Sequence, residues 1–221
     1  MIAVSLLAML SIGILMSMRL GLNAMSKTNQ TLMANRRVLG AQRILDQQIA
    51  GFMPVVAWFS PKPESPLAPI PFFQGEPESM RFVSSYSMYE GTRGAPRILE
   101  FQVIPGDRGR GVRLVVNEHP YTGPLSAGNF CLGERRFRPI QAGGGSFVLA
   151  DRLAECRFSY QESQPPPVLA IWRTLWTIPR WPRAIRVEMI PLDADPSRLR
   201  PVTVTARVHV DRYPIFEYVD F

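Results

Sequence analysis

Pro201-Val202-Thr203-Val204-Thr205-Ala206-Arg207-Val208-His209-Val210-Asp211 alternates with a period of two. Val202, Val204, Ala206, Val208 and Val210 fall on one side of an extended chain, and Thr203, Thr205, Arg207, His209 and Asp211 on the other. Successive side chains of a strand point to opposite faces, so this stretch predicts a half-buried strand of an antiparallel sheet. Ile185, Val187 and Met189 alternate in the same way against Arg186 and Glu188. Working back along the chain, strand-like runs recur at 80–88, 97–104, 111–116, 146–149, 155–160 and 184–192, with 201–213 last. Between them lie turn formers: 106–111 is Gly-Asp-Arg-Gly-Arg-Gly, 143–145 is all Gly, and 165–167 is all Pro. No helix-period segment of any length follows residue 53, and there is no internal repeat.

The N-terminal quarter has a different pattern. Residues 1–18 contain no charge and span about 27 Å as a helix, slightly short of a bilayer's ~30 Å core. A cleaved signal peptide would need a basic segment before the apolar run and a small-residue cleavage site after it; neither is present. Beyond Arg19, the residues Ala34, Val38, Ala41, Leu45, Ile49 and Phe52 form one apolar stripe at helical spacing, and Gly51 and Pro54 mark its end. The expected fold is therefore α+β, a long N-terminal helix packed on antiparallel sheet. Residues 1–53 form the transmembrane and amphipathic helix, about fifty residues and roughly 75 Å long. A membrane helix followed by a separate soluble helix is the alternative. Residues 54–78, with seven prolines, form a connector in which regular structure is not expected, and 79–221 form a β-rich domain.

Net charge is +7, and 19–53 carry Arg19, Lys27, Arg36, Arg37 and Arg43 against Asp46 alone. The excess sits where lipid head groups would be, leaving the β-rich part only mildly basic. A nucleic-acid partner, which needs a basic stripe with interleaved aromatics, is not expected. Cys131 and Cys156 would close a loop of about 25 residues, worth roughly 3 kcal/mol if they pair in an oxidising compartment. Two buried free thiols are an equal alternative.

Catalytic signals are weak. His119 precedes Pro120, His209 alternates out of a strand, and no nucleophile motif is present. The 106–111 segment lacks the Lys-Ser/Thr step of a phosphate cradle and fits a hairpin turn. Asp193 and Asp195 fit a solvated turn between Pro191 and Pro196 better than a cation site. No enzyme activity, cofactor, metal or small-molecule substrate is expected. Trp172, Trp176 and Trp181 are candidate partner anchors, with coverage of the core by a crossing loop as the alternative.

An apolar N-terminal helix, an amphipathic continuation and a small β domain make up the plan of type IV pilins and pseudopilins. The segments 36–49 (Arg-Arg-Val-Leu-Gly-Ala-Gln-Arg-Ile-Leu-Asp-Gln-Gln-Ile), 73–75 (Phe-Gln-Gly), 80–84 (Met-Arg-Phe-Val-Ser), 156–160 (Cys-Arg-Phe-Ser-Tyr) and 182–187 (Pro-Arg-Ala-Ile-Arg-Val), in that order and with the Trp172 and Trp176 region, resemble the minor pseudopilin J family of the type II (general) secretion pathway. The resemblance implies a single-pass inner-membrane protein with a periplasmic C-terminal domain. Such a subunit joins other minor pseudopilins, as a hetero-oligomer with the secretion machinery, at the tip of a periplasmic pseudopilus. It implies that Leu6, Leu7, Leu10, Ile14 and Leu15 hold the membrane and pack the filament core. Val38, Leu45, Ile49 and Phe52 would fix the domain to its stalk. Arg36, Arg37 and Arg43 would meet head groups or partner helices. A minor type IV pilin for adhesion, motility or DNA uptake, and a membrane-tethered binding domain, are the alternatives. The family opens with a basic leader, a Gly-Phe processing site and a Glu in the apolar stretch. Here the first acidic residue is Asp46, so the expectation is a start assigned several residues late. A basic leader would also restore the orientation that the charges after the anchor oppose.

Overall fold

In the computed structural model the Val-, Ile- and Phe-rich runs form one large antiparallel sheet with a smaller layer on part of one face. The structure describes residues 13–22, 24–25, 40–60, 65–133, 136–162, 170–192 and 202–208. In chain order the strands are β1 (Phe52–Met53), β2 (Val56–Phe59), β3 (Ala68–Pro71), β4 (Gln74–Gly75), β5 (Ser79–Tyr86), β6 (Arg93–Pro105), β7 (Val112–Pro120), β8 (Cys131–Gly133), β9 (Arg136–Phe137), β10 (Phe147–Glu162), β11 (Ile171–Arg173), β12 (Ala184–Pro191) and β13 (Val202–Arg207). The main sheet runs β1-β5-β6-β7-β10-β12-β13, with β4 also on β5 and β11 also on β10. All these pairs are antiparallel, as the period-two patterning requires.

Alternation sets the two faces. Met80, Phe82, Leu99, Phe101, Leu114, Phe158, Tyr160, Ile185, Val187 and Val204 share one buried face. A helix at 40–50 covers it through Ala41, Leu45 and Ile49, continued by Phe52 at the start of β1. On the other face Val83 and Ile98 meet a second, smaller core with Ala57, Ile70, Phe72, Ala127 and Cys131. That layer consists of the β2–β3 ribbon, the helix Pro124–Gly128 and the β8–β9 ribbon. The β10–β12–β13 half of this face has no such cover among the described residues; Arg157, Glu188, Thr203 and Thr205 are exposed there.

β10 is a single 16-residue strand where two shorter runs were expected. Its pairing shifts register near Ala150 and Leu153, and Arg152 takes φ 55°. This local irregularity bends the strand, so its first half pairs with β7 and its second with β12. The proline-rich stretch also contains strands. Pro69 and Pro71 lie in β3, opposite Trp58 and Val56. A two-stranded ribbon has two free edges, and proline fits where its missing N–H would point outward.

The α+β, pilin-like expectation is overturned: the protein is mainly β. Helix among the described residues is confined to 13–22, 24–25, 40–50, the 3-10 turn Asp107–Gly109 and Pro124–Gly128, and none is long and apolar enough to cross a membrane. The single-pass inner-membrane anchor and the fifty-residue stalk are therefore not supported. Periodicity identifies the buried side of a helix but not its length. Ten residues, 13–22, rise only about 15 Å. At the other end the helix stops at Ala50. Gly51 then passes so close to β5 that a Cβ there would lie 2.7 Å from the Tyr86 ring.

Candidate interaction site

The residues at 13–22 and 24–25 present an unusual surface. Ile14, Leu15, Met16, Met18, Leu20, Leu22 and Met25 are each between 59% and 74% exposed. They point to all sides of the helix, a pattern normally found where a helix is surrounded by apolar partners. Contiguous exposed apolar surface on this scale makes these residues a candidate interaction site. Leu6, Leu7 and Leu10 lie outside the described residues.

The second helical piece is embedded in the chain's own core. Leu45 and Ile49 are fully buried and Phe52 nearly so, its ring packed at a tilt between Phe73 and Phe82 at ring-centre distances of 5.9 and 5.3 Å. The Ser84 hydroxyl donates to the Gln48 carbonyl at 3.0 Å and ties the helix to β5. Burial raises the Asp46 carboxyl above its ordinary value. Arg43 is exposed, while Arg36, Arg37 and Val38 lie outside the described residues.

Beneath the second layer is a charged network that the sequence patterning did not reveal. Arg81 is 1% exposed. Its Nε donates to Glu100 Oε1 at 2.8 Å, and its two terminal nitrogens donate to Gln74 Oε1 at 2.6 Å and the Arg138 carbonyl at 2.8 Å. The guanidinium lies near the rings of Phe130 and Phe137, 5.2 and 5.6 Å from their centres. The other oxygen of Glu100 accepts from Asn117 at 3.2 Å and lies 3.1 Å from His119 Nε2. Burial alone would raise the Glu100 carboxyl; the Arg81 charge and the hydrogen bonds from Asn117, Arg81 and His119 outweigh it and hold the group below the ordinary range. Burial lowers Arg81 despite Glu100. The network joins β4, β5, β6, β7 and the segment after β9, so its role is to clamp the second layer onto the sheet. A signal was present: Arg81 and Glu100 stand alone among apolar neighbours, on the parity opposite to the main core.

The tryptophans separate into two groups. Trp176 and Trp181 belong to the main core, at 8% exposure each. Trp176 packs edge-on to Phe73 and donates from its indole nitrogen to the Arg180 carbonyl at 2.7 Å. Neither can serve as an exposed partner anchor. Trp172 is different: it is half-buried on the open half of the sheet, and the Arg186 guanidinium sits 3.9 Å from its ring centre.

Cys131 and Cys156 are free and buried, and they belong to separate cores, so the candidate disulfide is not formed. Burial pushes the Cys131 thiol up to about 11, against the lowering effect of Arg81. Burial, with Glu78 and Glu155, pushes Cys156 up to about 12. The 106–111 segment connects β6 to β7. Gly106 N–H donates to the Gly111 carbonyl at 2.8 Å, and Asp107 pairs with Arg113 at 2.7 Å. Asp193, Asp195 and His209 lie outside the described residues, among which no cluster of His, Cys, Asp and Glu could hold a metal. No protein-family model matches the chain, and no curated protein matches its sequence.

Proposed function

We propose that the chain is a structural assembly subunit, of the kind that its sequence resemblance to minor pseudopilins of the type II secretion pathway implies. It joins related subunits at the tip of a short filament and performs no chemistry of its own. Neither a membrane-spanning helix nor a cellular location is part of this reading. The observation that carries it is the apolar helical surface at 13–25, whose seven large apolar side chains find no cover within the described residues. At about 25 cal/mol per Å2, covering that surface with helices of neighbouring subunits supplies a strong driving force for assembly. The helix at 40–50, packed on the sheet through Ala41, Leu45 and Ile49, supports the same reading, because it matches the helix-to-domain packing that the resemblance implies.

Photo-crosslinking tests this directly. A photoreactive residue replaces Leu15 or Leu20, and the chain is co-expressed with minor pseudopilins of a type II secretion system. Crosslinks to the helix of another subunit are expected. Crosslinks confined to lipid, or none at all, contradict the reading.

A further inference from the structure

We propose that the open half of the sheet, on β10, β12 and β13, binds an extended acidic segment of a partner subunit, with Arg186 stacked on Trp172 as its carboxylate-binding centre. The inference rests on the assembly reading for the partner being a subunit, and it adds the chemistry of the contact.

Register defines the surface. Ser159 and Thr205 lie directly opposite Arg186 on its two neighbouring strands. Arg157 stands opposite Glu188, and Arg207 opposite Ala184. Facing side chains of an antiparallel pair are about 5 Å apart and diagonal ones about 7–8 Å. Arg186 is thus flanked by two hydroxyls, with Arg207 one diagonal step away.

The charges on this face are unevenly matched. Arg157 is ion-paired with Glu155 and also faces Glu188, so that end is neutralised internally. Arg186 and Arg207 have no ion-pair partner among the described residues, and the buried Nε of Arg186 has no hydrogen-bond partner there. Among the described residues, the positive end is thus matched by no carboxylate of the chain itself.

Stacking fixes the guanidinium before any partner arrives. A planar Arg held against an aromatic ring loses little freedom when it binds, and its edge presents two parallel N–H groups that match a carboxylate. In an extended partner, side chains at i and i+2 share a face and lie about 7 Å apart. That spacing matches the diagonal from Arg186 to Arg207. An acidic residue at every second position, with small polar residues between, is the complementary sequence.

The test uses the full chain and two fluorescein-labelled peptides, one of four Glu-Ser repeats and one of four Gln-Ser repeats, titrated by fluorescence anisotropy. The Glu peptide is expected to bind saturably and the Gln peptide at least tenfold more weakly. R186Q should weaken Glu-peptide binding by about tenfold or more, the effect of one bidentate charged contact. R186K keeps the charge but not the planar stack, and should fall between wild type and R186Q. R157Q should stay within about twofold of wild type, its charge being already engaged. Equal binding of the two peptides overturns the proposal, as does R157Q weakening the Glu peptide as much as R186Q. A short DNA duplex that binds more tightly than the Glu peptide, and loses that binding in R186Q, overturns it in favour of a nucleic-acid partner. Co-purification of related subunits is measured in parallel. If it persists while the peptide fails to bind, the surface assignment falls and the assembly reading stands; the opposite result removes the assembly reading alone.

Discussion

Arg81 lies in β5 between Met80 and Phe82, with its side chain on the opposite face from both. Its ion pair with Glu100 is fully covered, so removing one partner leaves an uncompensated buried charge. Arg81→Met should cost about 3–5 kcal/mol in urea unfolding at neutral pH. Adding Glu100→Gln to that variant should recover part of the loss, because the orphaned charge disappears. The pair also makes stability depend on acid. The folded Glu100 carboxyl titrates below its ordinary value, so its contribution is complete above the usual carboxyl range and is lost as pH falls through the folded value. The urea midpoint should drop more steeply on acidification in wild type than in Glu100→Gln. The two thiols have the opposite sign. Burial keeps them neutral, so their contribution is complete below the unfolded value near 9 and falls away as pH rises toward 11 and 12. At pH 8 neither should react with an aromatic disulfide reagent until denaturant is added, and both should then react. Two equivalents of rapid reaction in the native state would contradict the burial of both.

Among the elements, the helix at 40–50 and the short helix Pro124–Gly128 hold the two layers onto opposite faces of the sheet. Leu45→Ala removes a fully buried side chain beneath the first and should cost about 2–5 kcal/mol by urea unfolding, while exposed Arg43→Ala should stay within about 0.5 kcal/mol of wild type. Gly128→Ala acts on the second layer: a Cβ there would lie 2.1 Å from the Trp58 carbonyl oxygen. The backbones must separate, at a cost of about 1–3 kcal/mol. These elements were unequally legible from sequence. Runs such as 80–88, 97–104 and 184–192 overlap β5, β6 and β12 because strands half-buried in a sheet leave a period-two trace. The ribbon β2–β3 left no such trace, since its prolines mimic a loop. β10 was divided by Asp151 and Arg152, whose polarity resembles a turn although the chain passes through as a bend. An apolar stripe is silent about where hydrogen bonding stops, so periodicity alone does not fix a helix's length. Arg81 and Arg186 both occupy polar positions in alternating strands. What distinguishes them is which face is covered, a property of the whole sheet that no local pattern carries.

At the scale of the molecule, one sheet serves three surfaces. One face is closed by the chain's own helix, half of the other by the second layer, and the remaining half displays Arg157, Glu188, Arg186 and Trp172. The helical residues at 13–25 add an apolar surface that the described chain leaves uncovered. The proposed assembly role rests on this combination of a well-packed sheet and an apolar surface that the described residues leave uncovered. Light scattering after size-exclusion chromatography tests this most directly, on the chain co-expressed with minor pseudopilins of a type II secretion system, as wild type and as the Leu15→Glu, Leu20→Glu double variant. The account predicts a hetero-oligomeric mass for wild type and a folded monomer for the variant. A wild-type chain that elutes as a lone monomer, or a variant that assembles as well as wild type, would contradict it.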